Sequence, residues 1–95
     1  MYSKTLIEAY MKAKKYTQYK QMAADLGFTT AYVASVNRGH KEFTEETATY
    51  IAQQAGLDTS EVLLELAKSR AKSDTTRAIW EQLLREYRKA LRLCH

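Results

Sequence analysis

The chain has 95 residues, 45% hydrophobic and 27% charged, a length that fits one small domain with a modest core and excludes a multidomain enzyme. It has no proline and only three glycines, which disfavours β-sandwiches, hairpin-rich folds, collagen-like repeats and proline-rich disorder and leaves an all-α fold as the expectation. Fifteen Lys and Arg against eleven Asp and Glu give a formal net charge of +4, which permits a polyanionic partner without naming one. No stretch is apolar enough for a signal peptide or a membrane span, and the lone Cys94 has no partner for an internal disulfide, so the expected compartment is the cytoplasm.

Periodicity and capping residues divide the chain into six helices. The first, Ser3 to Tyr16, places Leu6, Ala9, Tyr10 and Ala13 on one face, with Lys4, Lys12 and Lys15 largely off it. Thr17 is the expected cap of a short second helix whose inward positions are Tyr19, Met22, Ala23 and Leu26 and which stops at Gly27. Thr29 caps a third helix with Tyr32, Val33 and Val36 inward, closed by Asn37, Arg38 and Gly39. Thr44 opens a fourth, with Ala48, Ile51, Ala52 and Ala55 inside and Gly56 at its end. Asp58 and Glu61 form a capping-box pattern, in which each side chain takes the other's free N–H. The fifth helix that follows packs Val62, Leu63, Leu66 and Ala67 and runs to about Lys72. Ser73-Asp74 marks a break and a new cap. The sixth helix, from Thr75 towards Cys94, carries Ile79, Trp80, Leu83, Leu84, Tyr87, Ala90, Leu91 and Cys94, an unusually wide apolar surface.

Charge is unevenly divided. Residues 1–41 hold seven basic and two acidic side chains, a local +5; residues 42–72 hold three against six, −3; residues 73–95 hold five against three, +2. The electropositive surface therefore belongs to the first three helices. His40, His95 and Cys94 have no zinc-like spacing, and His95 is terminal, so no metal is expected. No nucleophile–base pair or carboxylate pair falls where helices would bring it together, so neither an enzyme, a cofactor nor a small-molecule substrate is expected.

The most informative stretch runs from Tyr19 to Gly39. Two short helices must cross closely around a tight turn, and the fixed positions have steric reasons. Ala23 must be small, because a larger side chain would push the next helix away. Gly27 supplies the positive φ of the turn. Met22, Leu26, Val33 and Val36 form an apolar seam, and the Thr29 hydroxyl is left to cap the second helix of the pair.

With Ala23, Leu26, Gly27, Val33, Val36 and Gly39 in this arrangement, the stretch resembles the helix-turn-helix of the Cro/cI-type repressors of bacteriophages. Phe28 departs from that pattern, where a small aliphatic residue or Thr is more usual in the turn. The resemblance implies a five-helix lambda-repressor-like DNA-binding domain over residues 1–72, with an added C-terminal amphipathic helix over residues 73–95. It implies that the third helix enters the major groove of double-stranded DNA, with Thr29, Thr30, Ala31, Ala34 and Ser35 as base-reading residues. These side chains are small, so modest direct readout and some dependence on DNA shape are expected. Phosphate contacts are expected from the start of the second helix, at Thr17, Gln18, Tyr19 and Lys20, and from Tyr32, Asn37, Arg38 and Lys41. Lys12, Lys14 and Lys15 read as a solvated face.

One such module reads few base pairs, and a homodimer matches palindromic half-sites. Ile79, Trp80, Leu83, Leu84, Tyr87 and Leu91 are the expected dimerisation residues, part of the helix packing on the fifth. The expected function is a sequence-specific transcriptional regulator, a phage or prophage repressor on operator DNA. The alternatives are an antitoxin or restriction-control autoregulator, or a protein-interaction module on the same scaffold.

Overall fold

A computed structural model describes residues 2–93 as six α-helices, with no strand among them: α1 (Tyr2–Lys14), α2 (Tyr19–Leu26), α3 (Thr30–Asn37), α4 (Glu45–Ala55), α5 (Thr59–Arg70) and α6 (Asp74–Leu93). The all-α expectation holds. Helix α1 is central, packing against α3, α4 and α5, while α2 pairs with α3 and α6 lies along α5. The core joins Leu6, Ile7 and Tyr10 of α1 to Met22 and Ala23, Val33 and Val36, Ile51 and Ala52, and Val62 and Leu66.

The buried face of α1 is rotated from the one expected. Ser3, Leu6, Ile7 and Tyr10 are buried, whereas Ala9 is half-buried and Ala13 exposed. Helices pack on both flanks of α1, and burying an isoleucine removes far more apolar area from water than burying an alanine, so Ile7 takes the inward position. The polar Ser3 is tolerated because its Oγ accepts the Phe43 N–H at 3.1 Å and its own N–H donates to Glu42 Oε1 at 3.2 Å. Phe43, in the segment between α3 and α4, is fully buried. No periodicity marks it, because it belongs to no helix.

Side-chain caps follow the sequence at α3, α4, α5 and α6 and depart from it at α2. The hydroxyls of Thr29, Thr44 and Ser73 each accept the backbone N–H three residues on, those of Tyr32, Thr47 and Thr76 respectively. Asp58 Oδ1 likewise accepts the Glu61 N–H at 2.9 Å. The reciprocal half of that capping box is absent, because the Glu61 carboxylate pairs with Arg88 of α6 at 2.5 Å. At α2 the cap is Gln18, not Thr17: the Gln21 side chain reaches back and its Oε1 accepts the N–H groups of Thr17 at 2.7 Å and Gln18 at 2.9 Å.

Helix α6, about 30 Å long at the standard rise, lies outside the bundle, and the molecule is accordingly flat, 38 × 34 × 18 Å. Leu84 is buried, with Trp80, Tyr87 and Leu91 half-buried beside it. Polar contacts complete the joint to α5. The Tyr87 hydroxyl donates to the Asp58 carboxylate at 2.9 Å, and Arg88 spans Glu61 and Glu65. Cys94, expected to close this apolar face, and His95 lie outside the described residues.

Asp58 thus serves two elements at once. The Glu61 N–H and the Tyr87 phenol hold its carboxyl below the ordinary 3.8. A depressed folded value means that its contribution is present above that ordinary value and lost as pH falls through the lower one. Acid titration followed by circular dichroism is expected to show a smaller loss in Asp58→Ala than in the wild type, and the melting temperature of the variant at neutral pH is expected to be about 4–8 °C lower.

Candidate nucleic-acid interface

The candidate interface is built on the α2–α3 hairpin. Its seam holds Met22, Ala23, Val33 and Val36 in the core, with Leu26 half-buried at the edge. Ala23 is 2% exposed, which leaves no room for a larger side chain where the helices cross. The turn consists of Gly27, Phe28 and Thr29. Gly27 lies at φ 77°, in the left-handed region, and the Phe28 N–H donates to the Ala23 carbonyl at 2.8 Å, satisfying the end of α2.

Phe28, the residue that departs from the repressor pattern, has a packing role. Its ring lies 4.6 Å from that of Tyr32 and 6.2 Å from that of Phe43, so the turn, α3 and the segment leading to α4 share one aromatic cluster.

The outer face of α3 has the composition expected from the sequence. Thr30 and Ala31 are exposed, and Ala34, Ser35 and Asn37 are half-exposed. Thr29 is exposed too, but its Oγ1 accepts the Tyr32 N–H at 3.0 Å. The cap uses one lone pair of the Thr29 hydroxyl and leaves its proton and second lone pair available. Arg38 and Lys41 are exposed beyond the end of α3, and Tyr32 is half-buried with Lys41 over its ring.

At the start of α2 the expected phosphate seat is narrower than its sequence suggests. Gln21 already occupies the amides of Thr17 and Gln18. Tyr19 and Lys20 carry the next two N–H groups, which helix geometry leaves without an intrahelical acceptor. The Lys20 side chain is exposed and that of Tyr19 half-buried against the core. The signal for this was Gln21, three residues after Gln18, a capping-box spacing outweighed in the sequence by the commoner threonine cap.

The basic residues of the N-terminal half are not equivalent. Lys14 donates to Gln54 Oε1 at 3.0 Å and lies over the Tyr10 ring, which commits it to the α1–α4 side. Lys4, Lys12, Lys15 and Lys20 are exposed and form no ion pair among the described residues.

The acidic Asp25 of this half also has a structural function. Its Oδ2 accepts the Tyr10 hydroxyl at 2.5 Å and the Tyr16 hydroxyl at 2.9 Å, tying α2 to α1. The two phenols hold the Asp25 carboxyl below its ordinary value, and burial, aided by Asp25, holds the Tyr10 phenol protonated well above its own. Nothing in the periodicity of either helix announces this contact.

Among the described residues no three His, Cys, Asp or Glu side chains converge as a metal-holding group, and no helix is long and apolar enough to cross a membrane. Comparison with family models, curated proteins and solved structures finds no match for this chain.

The hairpin depends on Gly27 through its backbone alone, since an added Cβ would meet nothing within 4 Å. Gly27→Ala is expected to cost about 1–2 kcal/mol in urea denaturation, the penalty of a left-handed L-residue, with the native helix content retained.

Proposed function

We propose that the chain is a sequence-specific double-stranded DNA-binding transcriptional regulator: a repressor of the phage or prophage type, working in the cytoplasm and occupying operator DNA as a homodimer. In this reading residues 1–72 form a lambda-repressor-like domain and residues 73–95 carry the pairing helix. The observation that carries it is the outer face of α3, where Thr30 and Ala31 are exposed and Ala34 and Ser35 half-exposed, with the exposed Arg38 following at the end of the helix.

In the groove, Ala31 and Ala34 offer methyl contacts to thymine, and Thr30 and Ser35 offer hydroxyls to base edges. Thr29 adds a donor at the leading end of the helix. The amides of Tyr19 and Lys20, with Arg38, Asn37 and Lys41, hold the flanking phosphates and set the register. Such contacts make binding strongly dependent on salt.

The dimer surface proposed here is smaller than the apolar content of α6 implies. Leu84 is buried within the monomer and Trp80, Tyr87 and Leu91 turn toward α5, so these four serve the α5–α6 joint. A helical wheel counts apolar residues but does not show how many the neighbouring helix takes. Ile79, 56% exposed, and Leu83, 43% exposed, remain on the outer side in an open trough completed by Thr75, Ala78, Gln82 and Glu86. This stripe is the surface assigned to a second copy.

A protein-interaction role without DNA is the second reading, and the same exposed stripe favours it. Selection from a random duplex pool separates the two, because a DNA reader enriches a sequence and an interaction module does not. Ser35→Glu is expected to reduce affinity for the enriched sequence about 30-fold or more, by placing a carboxylate among base edges and phosphates, while circular dichroism is unchanged. Ile79→Lys combined with Leu83→Lys is expected to lower the mass in sedimentation from twice the 10.9 kDa of one chain to that of a single chain. A double variant that stays dimeric removes this face from the interface.

A further inference from the structure

We propose that Tyr32 is a positioning residue that acts through the face of its ring, holding Lys41 beside α3 as a preset phosphate-binding cation. The inference rests on the DNA-binding reading and gives Tyr32 a different part in it from a hydroxyl contact.

Three observations converge on this pair. The Lys41 Nζ lies 5.6 Å from the centroid of the Tyr32 ring, within cation–π range. The ring itself is held in place: Phe28 packs 4.6 Å from it and Phe43 6.2 Å from it, and Phe43 is fully buried. The backbone that carries Lys41 is pinned on both sides. His40 donates its N–H to the Ser35 carbonyl at 3.0 Å, and Phe43 donates its N–H to the buried Ser3 Oγ at 3.1 Å.

A lysine on an exposed loop ordinarily loses much side-chain freedom when it meets a phosphate. Here the aromatic face restricts the Lys41 side chain beforehand. The contact also leaves the ammonium hydrogens free to donate, because a ring face engages the charge without accepting all three N–H bonds. Lys14 makes the contrast. It too lies over a tyrosine ring, that of Tyr10, but it already donates to Gln54 and belongs to the α1–α4 side.

The test combines binding and spectroscopy on the full chain, using the duplex enriched by selection and, in parallel, an unrelated duplex. Lys41→Ala is expected to weaken both duplexes alike and to reduce the slope of log affinity against log salt by about one. Tyr32→Leu is expected to weaken binding about 2- to 5-fold, and Tyr32→Phe, which keeps the ring, to restore it. In the free protein, the Lys41 side-chain resonances are expected to show a ring-current shift that Tyr32→Leu abolishes and Tyr32→Phe retains. Tyr32→Phe losing as much affinity as Tyr32→Leu would overturn the proposal in favour of a hydroxyl contact. An unchanged salt slope in Lys41→Ala would overturn it as well. A wild-type chain that shifts no duplex at low salt would overturn the DNA reading itself, and a persisting ring-current shift would then mark the pair as structural only.

Discussion

Phe43 lies in the segment between two helices, yet much of the fold converges on it. Its side chain is fully buried, its N–H is satisfied by Ser3 at the start of α1, and its carbonyl accepts from Arg70 at the end of α5. Its ring meets Phe28 of the turn and Tyr32 of α3. A buried loop residue must have its backbone groups paired, and here the pairs come from the first and fifth helices. The outcome is that the α2–α3 hairpin, the centre of the bundle and the support for α6 are referred to one fixed point.

The candidate interface inherits its rigidity from that arrangement. The outer face of α3 is exposed on one side of a helix of only eight residues, too short to be stable by itself in water. Its position is set by the seam with α2, by the Thr29 cap and by the aromatic cluster behind Tyr32. On α2 the tie of Asp25 to Tyr10 and Tyr16 fixes the other half of the hairpin against α1. Side chains proposed to read base edges therefore stand on elements held from several directions, as a preorganised surface requires.

Helix α6 is joined differently. One fully buried leucine, a tyrosine hydroxyl on the Asp58 carboxylate and an arginine spanning two glutamates hold it to α5, outside the main core. Exposed ion pairs contribute little individually, so Leu84 and the half-buried aromatic residues carry most of the attachment. That leaves Ile79 and Leu83 facing outward.

What the sequence by itself determined was local. Six helices, their glycine and hydroxyl or carboxylate termini, the α2–α3 seam and the small exposed side chains of α3 all follow from spacing and from the few residues that suit a cap or a left-handed turn. What the tertiary structure alone decided was which competing partner each side chain took. Ile7 replaced Ala13 on the buried face because neighbours flank α1 on both sides, and Glu61 left its cap because its carboxylate met the Arg88 guanidinium of α6, a full charge in place of a backbone amide. Phe43, Asp25 and Leu84 were assigned by contacts between elements remote in the chain, as the Tyr10–Asp25 and Ser3–Phe43 bonds illustrate. Periodicity reports only the neighbours a residue has along its own helix, and the packing of one element against another is settled by area, volume and charge that meet only once the chain has folded.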